Sequence, residues 1–435
     1  MNKKKSGKFG LFSIVLLGIN SIIGSGIFLM PGKAYVLMGT SSLWVYVFIT
    51  LLAGSMALCF AEAAGYFKSN GAAYVYVKEA FGNLPGFEVG IMKYIVQIIA
   101  WATMAVGFVT ALSAIWPAAG KGMVKNIIVI AILVLLGIVN YIGVDITKYI
   151  NNIATIGKMV PLVLFIAIGI FFIKGGNYSA STGIDLTVGK FSEAAILVFY
   201  AFTGFESIAT ASEDMENPKK NIPRAIVIAI CSVSVVYFLI QFVSIGILGA
   251  TLGETKTPVV DAMAKTLLGS AGGAIVTAGT LISIGGINIA QSFYAPRGLM
   301  ALGETHMLPE IVSKKTAWGT PGVAIIITVV LAIPVALSGS FTTLAAISVI
   351  SRFTQYIPTC LSILVFRKRG MESAFKVPFG PVIPIVATIV SLWLLFNADR
   401  MKLLIGLGAM VVGVPLYYLI VYYNKKHGYE FKKVD

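Results

Sequence analysis

Residues 13–31 read SIVLLGINSIIGSGIFLMP, an apolar run that Gly24-Ser25-Gly26 interrupts in its middle. The length and hydropathy of this run predict a membrane helix, since about 20 apolar residues span the hydrocarbon core. Glycine has a wide φ/ψ range and leaves its backbone unshielded, so two glycines around a serine predict a break in the helix. In a membrane, broken helix is tolerated only where protein buries it or where it lines a cavity.

The rest of the chain repeats the apolar pattern of this first segment. Of its 435 residues, 57% are hydrophobic and 12% are charged, whereas a soluble domain has about 25% charged residues. We therefore predict an all-α polytopic membrane protein with a single transmembrane domain, residues 1–435. The predicted spans, about twelve, are 11–37, 41–64, 86–116, 125–143, 152–174, 191–211, 223–250, 270–302, 322–338, 342–366, 380–397 and 401–423.

The net charge of +15 reflects how the chain lies in the membrane rather than a nucleic-acid partner. With the N-terminus in the cytoplasm, twenty lysines and arginines lie on the inner side, eight on the outer side and five within spans. This bias is the positive-inside pattern of membrane proteins. It predicts a multi-pass protein of the cell membrane, surrounded by the lipid bilayer, with both termini cytoplasmic and no nucleic-acid partner.

A second interrupted helix lies at residues 198–209, VFYAFTGFESIA, where a threonine and a glycine follow an apolar run. Five spans separate the two interruptions, and because five is odd the second unit enters the membrane inverted. Paired interruptions in two inverted halves are the sequence sign of a transporter's central site. We predict an inverted repeat of 11–174 (spans 1–5) and 191–366 (spans 6–10), followed by spans 11 and 12 at 380–423. The alternative is that the glycines serve close helix packing.

Each break frees backbone groups that suit the two charges of an amino acid. The start of a half-helix carries free amides and a positive partial charge, which fit a carboxylate. The end of the other half carries free carbonyls, which fit an ammonium group. The residues predicted to bind the carboxylate are Ser25, Gly26 and Ile27, and those predicted to bind the ammonium are Ile22, Tyr200 and Thr203.

The interrupted helices and their flanks resemble the amino acid–polyamine–organocation superfamily of permeases. The matching stretches are Gly24-Ser25-Gly26-Ile27-Phe28, residues 61–82, residues 202–226, and residues 295–315 followed by Gly-Thr-Pro at 319–321. The resemblance implies a five-plus-five inverted fold with broken helices 1 and 6 and two further C-terminal helices. It also implies transport by alternating access, with an amino acid as the small-molecule substrate.

Two ionisable residues within the spans are candidates for coupling or gating, because charges at membrane depth are costly and usually functional. Lys158 resembles a helix-5 lysine that takes the place of sodium in sodium-independent relatives. Alternatively, its side chain reaches the inner interface. Glu206 resembles a glutamate that senses protons or gates in acid-activated relatives. Alternatively, it is a fixed cap on the restarting half-helix.

Further polar and aromatic residues are candidates for the gates and the side-chain pocket. Arg352, in the middle of span 10, would bind an acidic substrate side chain or pair with an internal carboxylate or carbonyls, and we favour internal pairing. Arg297 is expected in an inner gate pair, and Tyr200 matches an aromatic that closes over the substrate in relatives. The polar candidates for the pocket are Gln97, Trp101, Asn288, Gln291 and Gln355.

These features predict a secondary active transporter of neutral L-amino acids that works without sodium, by proton-coupled symport or by exchange. The alternative is a cationic amino acid or polyamine exchanger, although only Glu206 offers a carboxylate in the proposed pocket. An enzyme is not expected, because no histidine lies at membrane depth and no carboxylate pair is evident. No catalytic residue, cofactor or metal ion is expected, and the selectivity filter of a channel is not visible.

Overall fold

The computed structural model describes residues 10–67, 72–143, 147–179, 186–208, 215–373 and 375–429. Within these ranges the regular structure is helical and no β-strand is formed. Parts of the sequence discussed above lie outside the described residues: the basic N-terminal residues 3–8, residues 68–71 of the loop after span 2, and residues 209–214 after the second interruption.

The α-helices follow one another with short connections. In chain order they are α1 (Leu11–Ile22), α2 (Gly26–Leu29), α3 (Pro31–Met38), α4 (Ser42–Tyr66), α5 (Ala72–Phe81), α6 (Asn83–Leu112), α7 (Gly122–Tyr141), α8 (Thr147–Gly169), α9 (Val188–Phe202), α10 (Pro218–Leu248), α11 (Pro258–Ala264), α12 (Gly269–Glu304), α13 (Gly322–Leu337), α14 (Phe341–Lys368), α15 (Val382–Phe396) and α16 (Arg400–His427).

The helices reproduce the predicted spans. Eight helices of the described part are long and apolar enough to cross a membrane. Four shorter apolar helices accompany them, at Leu11–Ile22, Gly157–Phe172, Gly322–Leu337 and Val382–Phe396. Most limits of the helices differ from the predicted limits by a few residues, and α9 ends at Phe202 instead of 211 because the second interruption breaks the helix there. The prediction of an all-α polytopic membrane protein is confirmed.

The helix contacts recur when each helix is replaced by its counterpart five spans away. α8 packs on α12 as α14 packs on α6, and α1 packs on α10 as α9 packs on α4. α6 packs on α7 as α12 packs on α13. In the central pairs α4–α10 and α6–α12, the two helices that touch are counterparts of each other, so each pair corresponds to itself. This is the contact pattern of an inverted repeat, and α15 and α16 pack against α14 beside it.

Two short helices also correspond to each other. α5 packs on α6 and α14, and α11 packs on the counterparts of these helices, α12 and α8. α5 lies within residues 61–82, one of the stretches that resemble the permease superfamily.

α8 and α12 come into backbone contact at glycines, which places the middle of α8 beside the first break. A Cβ on Gly279 would lie 2.8 Å from the carbonyl oxygen of Gly157, and a Cβ on Gly157 would lie 2.6 Å from a methyl group of Ile282. Side chains larger than hydrogen would force the two helices apart, as in other close membrane-helix contacts. Lys158, the next residue, is held at this close contact.

Candidate substrate site

The first interruption is a break in the helix. α1 ends at Ile22, Ile23 is extended with ψ 103°, and α2 begins at Gly26. The amides at the start of α2 have no acceptor in a preceding helical turn. A Cβ on Gly26 would lie 2.7 Å from the Cα of Ala201, so only glycine fits there. The start of α2 therefore rests on the backbone of α9.

The second interruption lies directly against the first. α9 ends at Phe202, Thr203 is extended with ψ 152°, and Gly204 has φ +112°. Residues other than glycine are strained at that φ, and a Cβ on Gly204 would also clash with the carbonyl oxygen of Ser21. The two broken helices therefore meet through their backbones, at contacts that need glycine on one side.

Lys158 caps the C-terminal end of α1. Its ammonium group donates to the carbonyl oxygens of Asn20 at 2.6 Å and of Ile23 at 2.9 Å. The residue is 1% exposed, and the ion pairs formed by the described residues do not include it. An ammonium group has three donors and one positive charge. The Lys158 ammonium therefore donates to carbonyls that have no helical partner because of the break. Its side chain does not reach the interface.

Tyr237 of α10 joins the two breaks. Its hydroxyl lies 3.3 Å from the carbonyl oxygen of Ile22 and 3.0 Å from that of Ala201. The ring is fully buried and meets Phe202 edge-on, with 5.1 Å between the ring centroids. Sequence reasoning missed this residue, because a tyrosine in a long apolar run carries no sign of which way it points.

Two of the three carbonyls predicted to bind an ammonium group already accept internal hydrogen bonds. The Thr203 hydroxyl donates to the Tyr200 carbonyl at 2.8 Å, and the Tyr237 hydroxyl faces the Ile22 carbonyl. A carbonyl oxygen has two lone pairs. The Tyr200 carbonyl also accepts from the Thr203 amide at 3.3 Å, so both of its lone pairs are engaged, whereas the Ile22 carbonyl keeps one lone pair for a ligand.

Aromatic side chains cover the predicted outer side of the first break. The Tyr200 hydroxyl lies 3.2 Å from Ser25 Oγ, and both groups approach the sulfur of Met104. Phe341, the first residue of α14, meets the Tyr200 ring edge-on with 5.7 Å between centroids. Ser25 is fully buried as a result, whereas Ser207, beyond the second break, is exposed.

The carboxylate of Glu206 accepts from three donors. Arg352 of α14 forms an ion pair with it, and these side chains are 11% (Arg352) and 15% (Glu206) exposed. The Tyr356 hydroxyl and the Gly204 amide each donate to the other carboxylate oxygen at 2.9 Å. The second break is thereby tied to α14, and Arg352 pairs with an internal carboxylate.

Buried polar atoms lie to the inner side of the first break. Gly24 is flanked by Met104 of α6 and Ile287 of α12. Within about two turns of these contacts, and on α14, eight buried side-chain atoms have no hydrogen-bond partner among the described residues. They are Gln97 Oε1, Trp101 Nε1, Ser283 Oγ, Asn288 Oδ1, Gln291 Oε1, Ser348 Oγ, Gln355 Nε2 and Arg352 Nε. Because buried polar groups are costly without partners, this set suits a polar ligand.

Cations outnumber carboxylates around the breaks. Lys93 of α6 lies over the Tyr74 ring, 6.0 Å from its centroid, and interacts electrostatically with Glu206. Arg297 of α12 donates to the Phe293 carbonyl one turn earlier in its own helix, at 3.0 Å. Across the described ranges, groups of three His, Cys, Asp or Glu side chains that could hold a metal ion do not occur.

The sequence is similar to known transporters along nearly its whole length. The sequence model described as amino acid permease matches residues 9–423. An uncharacterized transporter of Mycobacterium tuberculosis is 37% identical over 90% of this chain and 88% of its own. A serine/threonine exchanger of Bacillus subtilis is 29% identical, covering 94% of this chain and 96% of its own. A branched-chain amino acid permease of that species is 28% identical, covering 98% and 94%.

Proposed function

The chain belongs to the amino acid permease family, and we propose that it carries a neutral amino acid across the cell membrane by alternating access, without sodium. The family and the characterised relatives are transporters, so the chain is a permease and not an enzyme. The observation that carries the proposal is the contact of the two helix breaks, with the Lys158 ammonium on the freed carbonyls of the first.

The backbone of the two breaks would bind the groups that all amino acids share. The substrate carboxylate would accept from the amides of Ser25, Gly26 and Ile27, at the positive end of a half-helix. The ammonium group would donate to the free lone pair of the Ile22 carbonyl and to the carbonyl of Thr203, and it would reach the Tyr200 carbonyl in place of one of the two Thr203 donors. A backbone site of this kind recognises an amino acid without reading its side chain.

Sodium independence is supported by the position of Lys158. In sodium-coupled relatives the family resemblance places the ion between helices 1 and 8, which correspond to α1 and α12. Here the Lys158 ammonium bonds to the end of α1 from the helix that packs on α12. A sodium ion beside that ammonium would be repelled strongly in surroundings of low dielectric. Transport would instead be coupled to protons or to the exit of a second substrate.

Two contacts on opposite sides of the site would act as the gates. Tyr200 lies against Ser25 and Phe341 on the predicted outer side, so outward opening requires this contact to separate. The Glu206–Arg352 ion pair ties the inner part of the second break to α14. A movement of the broken helix relative to α14 has to stretch or break that pair.

The charges and polar atoms of the site favour a neutral substrate with a hydrogen-bonding side chain. Among the described residues, the site has three cations, Lys93, Lys158 and Arg352, and one carboxylate, Glu206, so its potential repels a cationic side chain. The unpartnered donors and acceptors on α6, α12 and α14 match a hydroxyl or amide group. A polyamine or a cationic amino acid would leave those donors unpaired.

A thermal-shift screen of the purified protein against the twenty amino acids and common amines tests the substrate class. A ligand that binds only the folded state stabilises it by about 2.7 kcal/mol at 100 times its Kd. We expect stabilisation by serine, threonine, asparagine or glutamine and none by lysine, arginine or putrescine. Stabilisation by the cationic compounds alone would overturn the assignment and select the cationic exchanger.

Proteoliposomes then separate the two modes of coupling. Uptake that needs substrate inside the vesicles identifies exchange. Uptake into empty vesicles that an inward proton gradient accelerates identifies symport.

A further inference from the structure

Glu88 is a buried carboxyl group that the proposed transport cycle does not use. It lies on α6, near the end where this helix starts, and is 6% exposed. Both carboxyl oxygens are buried and have no hydrogen-bond partner among the described residues. Gly413 of α16 lies against it: a Cβ at position 413 would be 2.7 Å from Cδ of Glu88. The absence of a side chain at Gly413 makes room for the carboxyl group.

The surroundings of Glu88 and Glu206 are opposite in character. Glu206 accepts from a guanidinium group, a hydroxyl and a backbone amide, all of which stabilise its charged form. Glu88 has none of these. Burying a carboxylate without a partner costs far more than burying the neutral acid, so such a group takes up a proton.

Among the described residues, the helices packed around Glu88 place no compensating charge at its carboxyl group. α16 presents Gly413 to the carboxyl and Tyr417 to the neighbouring Phe87. α5 presents Lys78 to Gly86, and α12 presents Leu302 to Gly90. The next cation along α6 is Lys93, which lies over Tyr74 of α5. The ion pairs of the described residues do not include Glu88.

We propose that Glu88 is a proton-binding site: its carboxyl group carries a proton at neutral pH while α16 packs on α6 at Gly413. Loss of the proton places an unpaired negative charge between the two helices and weakens their contact. The contact of α16 with α6 is therefore linked to pH. This site is separate from Glu206 at the second break, and it does not depend on the transport activity proposed above.

Infrared difference spectra of the full-length protein, wild type against Glu88→Gln, test the protonation directly. At neutral pH we expect the carbonyl stretching band of a protonated carboxylic acid in the wild type and its loss in Glu88→Gln. Glu79→Gln, at an exposed glutamate on α5, is the matched control and should keep the band. A band that persists in Glu88→Gln, or carboxylate bands that disappear instead, would show that Glu88 is ionised and overturn the proposal.

Stability measured against pH gives a second, independent readout. The folded state with a neutral Glu88 binds one proton more than the unfolded chain, in which this glutamate is ionised at neutral pH. Stability relative to Glu88→Gln then falls as pH rises, by up to about tenfold in the unfolding equilibrium constant per pH unit. Glu79→Gln should run parallel to the wild type. A wild-type curve parallel to that of Glu88→Gln would contradict the proposal.

Substitutions on α16 test the contact itself. Gly413→Ala places a methyl group on the Glu88 carboxyl and should lower the melting temperature. Gly408→Ala, on the same helix with nothing within 4 Å, should not. Equal effects of the two substitutions would contradict the place of Gly413 in this site.

Discussion

The ammonium group of Lys158 lies 2.6 Å from the carbonyl oxygen of Asn20, which ties α8 to the end of the first half-helix. Free carbonyls at a break in a membrane helix need partners, because the hydrocarbon offers none. Lys158 supplies such a partner from within the protein, because its ammonium group donates to the carbonyl oxygens of Asn20 and Ile23.

Replacing Lys158 with methionine should reduce transport by about tenfold or more while leaving a folded protein. Each carbonyl left without a donor costs about 1–3 kcal/mol, but methionine does not have to bury a charge, which offsets part of that cost. The measurements are substrate uptake into proteoliposomes and the melting temperature. Lys174→Met, at an exposed lysine beyond α8, is the control and should transport normally. Normal uptake by Lys158→Met would remove the lysine from the mechanism.

Removing the hydroxyl of Tyr237 should disturb both breaks at once. In Tyr237→Phe the carbonyls of Ile22 and Ala201 lose their shared donor, at a cost of about 1–3 kcal/mol. We expect weaker substrate binding, seen as a higher KM for uptake. Tyr178→Phe removes a hydroxyl that also donates to a carbonyl, that of Phe242, but away from the breaks. If both phenylalanine variants had the same KM, Tyr237 would have no special role.

Replacing one partner of the Glu206–Arg352 pair should destabilise the protein more than replacing both partners. Glu206→Gln leaves a buried guanidinium group without its countercharge, which costs about 3–5 kcal/mol. The double variant Glu206→Gln/Arg352→Met should recover much of the lost melting temperature, since it leaves no buried charge.

The pH profile of uptake by Glu206→Gln tests whether Glu206 titrates during transport. Because the Glu206 carboxylate accepts from three donors within the protein, we expect a lower rate with an unchanged profile. A profile that flattens in Glu206→Gln would make Glu206 the proton-sensing group instead.

Gly204→Ala should abolish transport. Its φ of +112° strains any other residue, and the added Cβ would clash with the Ser21 carbonyl, forcing the two breaks apart. Gly408→Ala, within α16 and facing open space, should be neutral or stabilising by up to about 1 kcal/mol, as for glycine in a helix interior. Uptake at the normal rate by Gly204→Ala would show that the second break is not held as described.

The fold was predictable from the sequence because its signals are local. Long apolar runs define the spans, and a glycine beside a hydroxyl residue marks a break wherever it occurs. Both breaks lie where the sequence predicts them, at Gly24–Gly26 and at Thr203–Gly204. The odd number of spans between them predicts an inverted arrangement, and the helix pairs recur between the two halves of the chain.

The partners of the polar groups were not predictable in the same way. Arg352 and Glu206 lie 146 residues apart, so the sequence left their pairing as one of two alternatives for Arg352. Tyr237 and Glu88 lie in helices that are apolar on several faces, and such helices give no phase from which to infer direction. Only the packing of α10 against both breaks, and of α16 against α6, reveals what these side chains face.

Uptake in the absence of sodium tests the central claim most directly. The amino acid selected by the thermal-shift screen is supplied to proteoliposomes in sodium medium and in medium where choline replaces sodium, at the same pH and ionic strength. The Lys158 ammonium bound to the end of α1 predicts equal initial rates in the two media. Loss of uptake in choline, with recovery when sodium is restored, would contradict it.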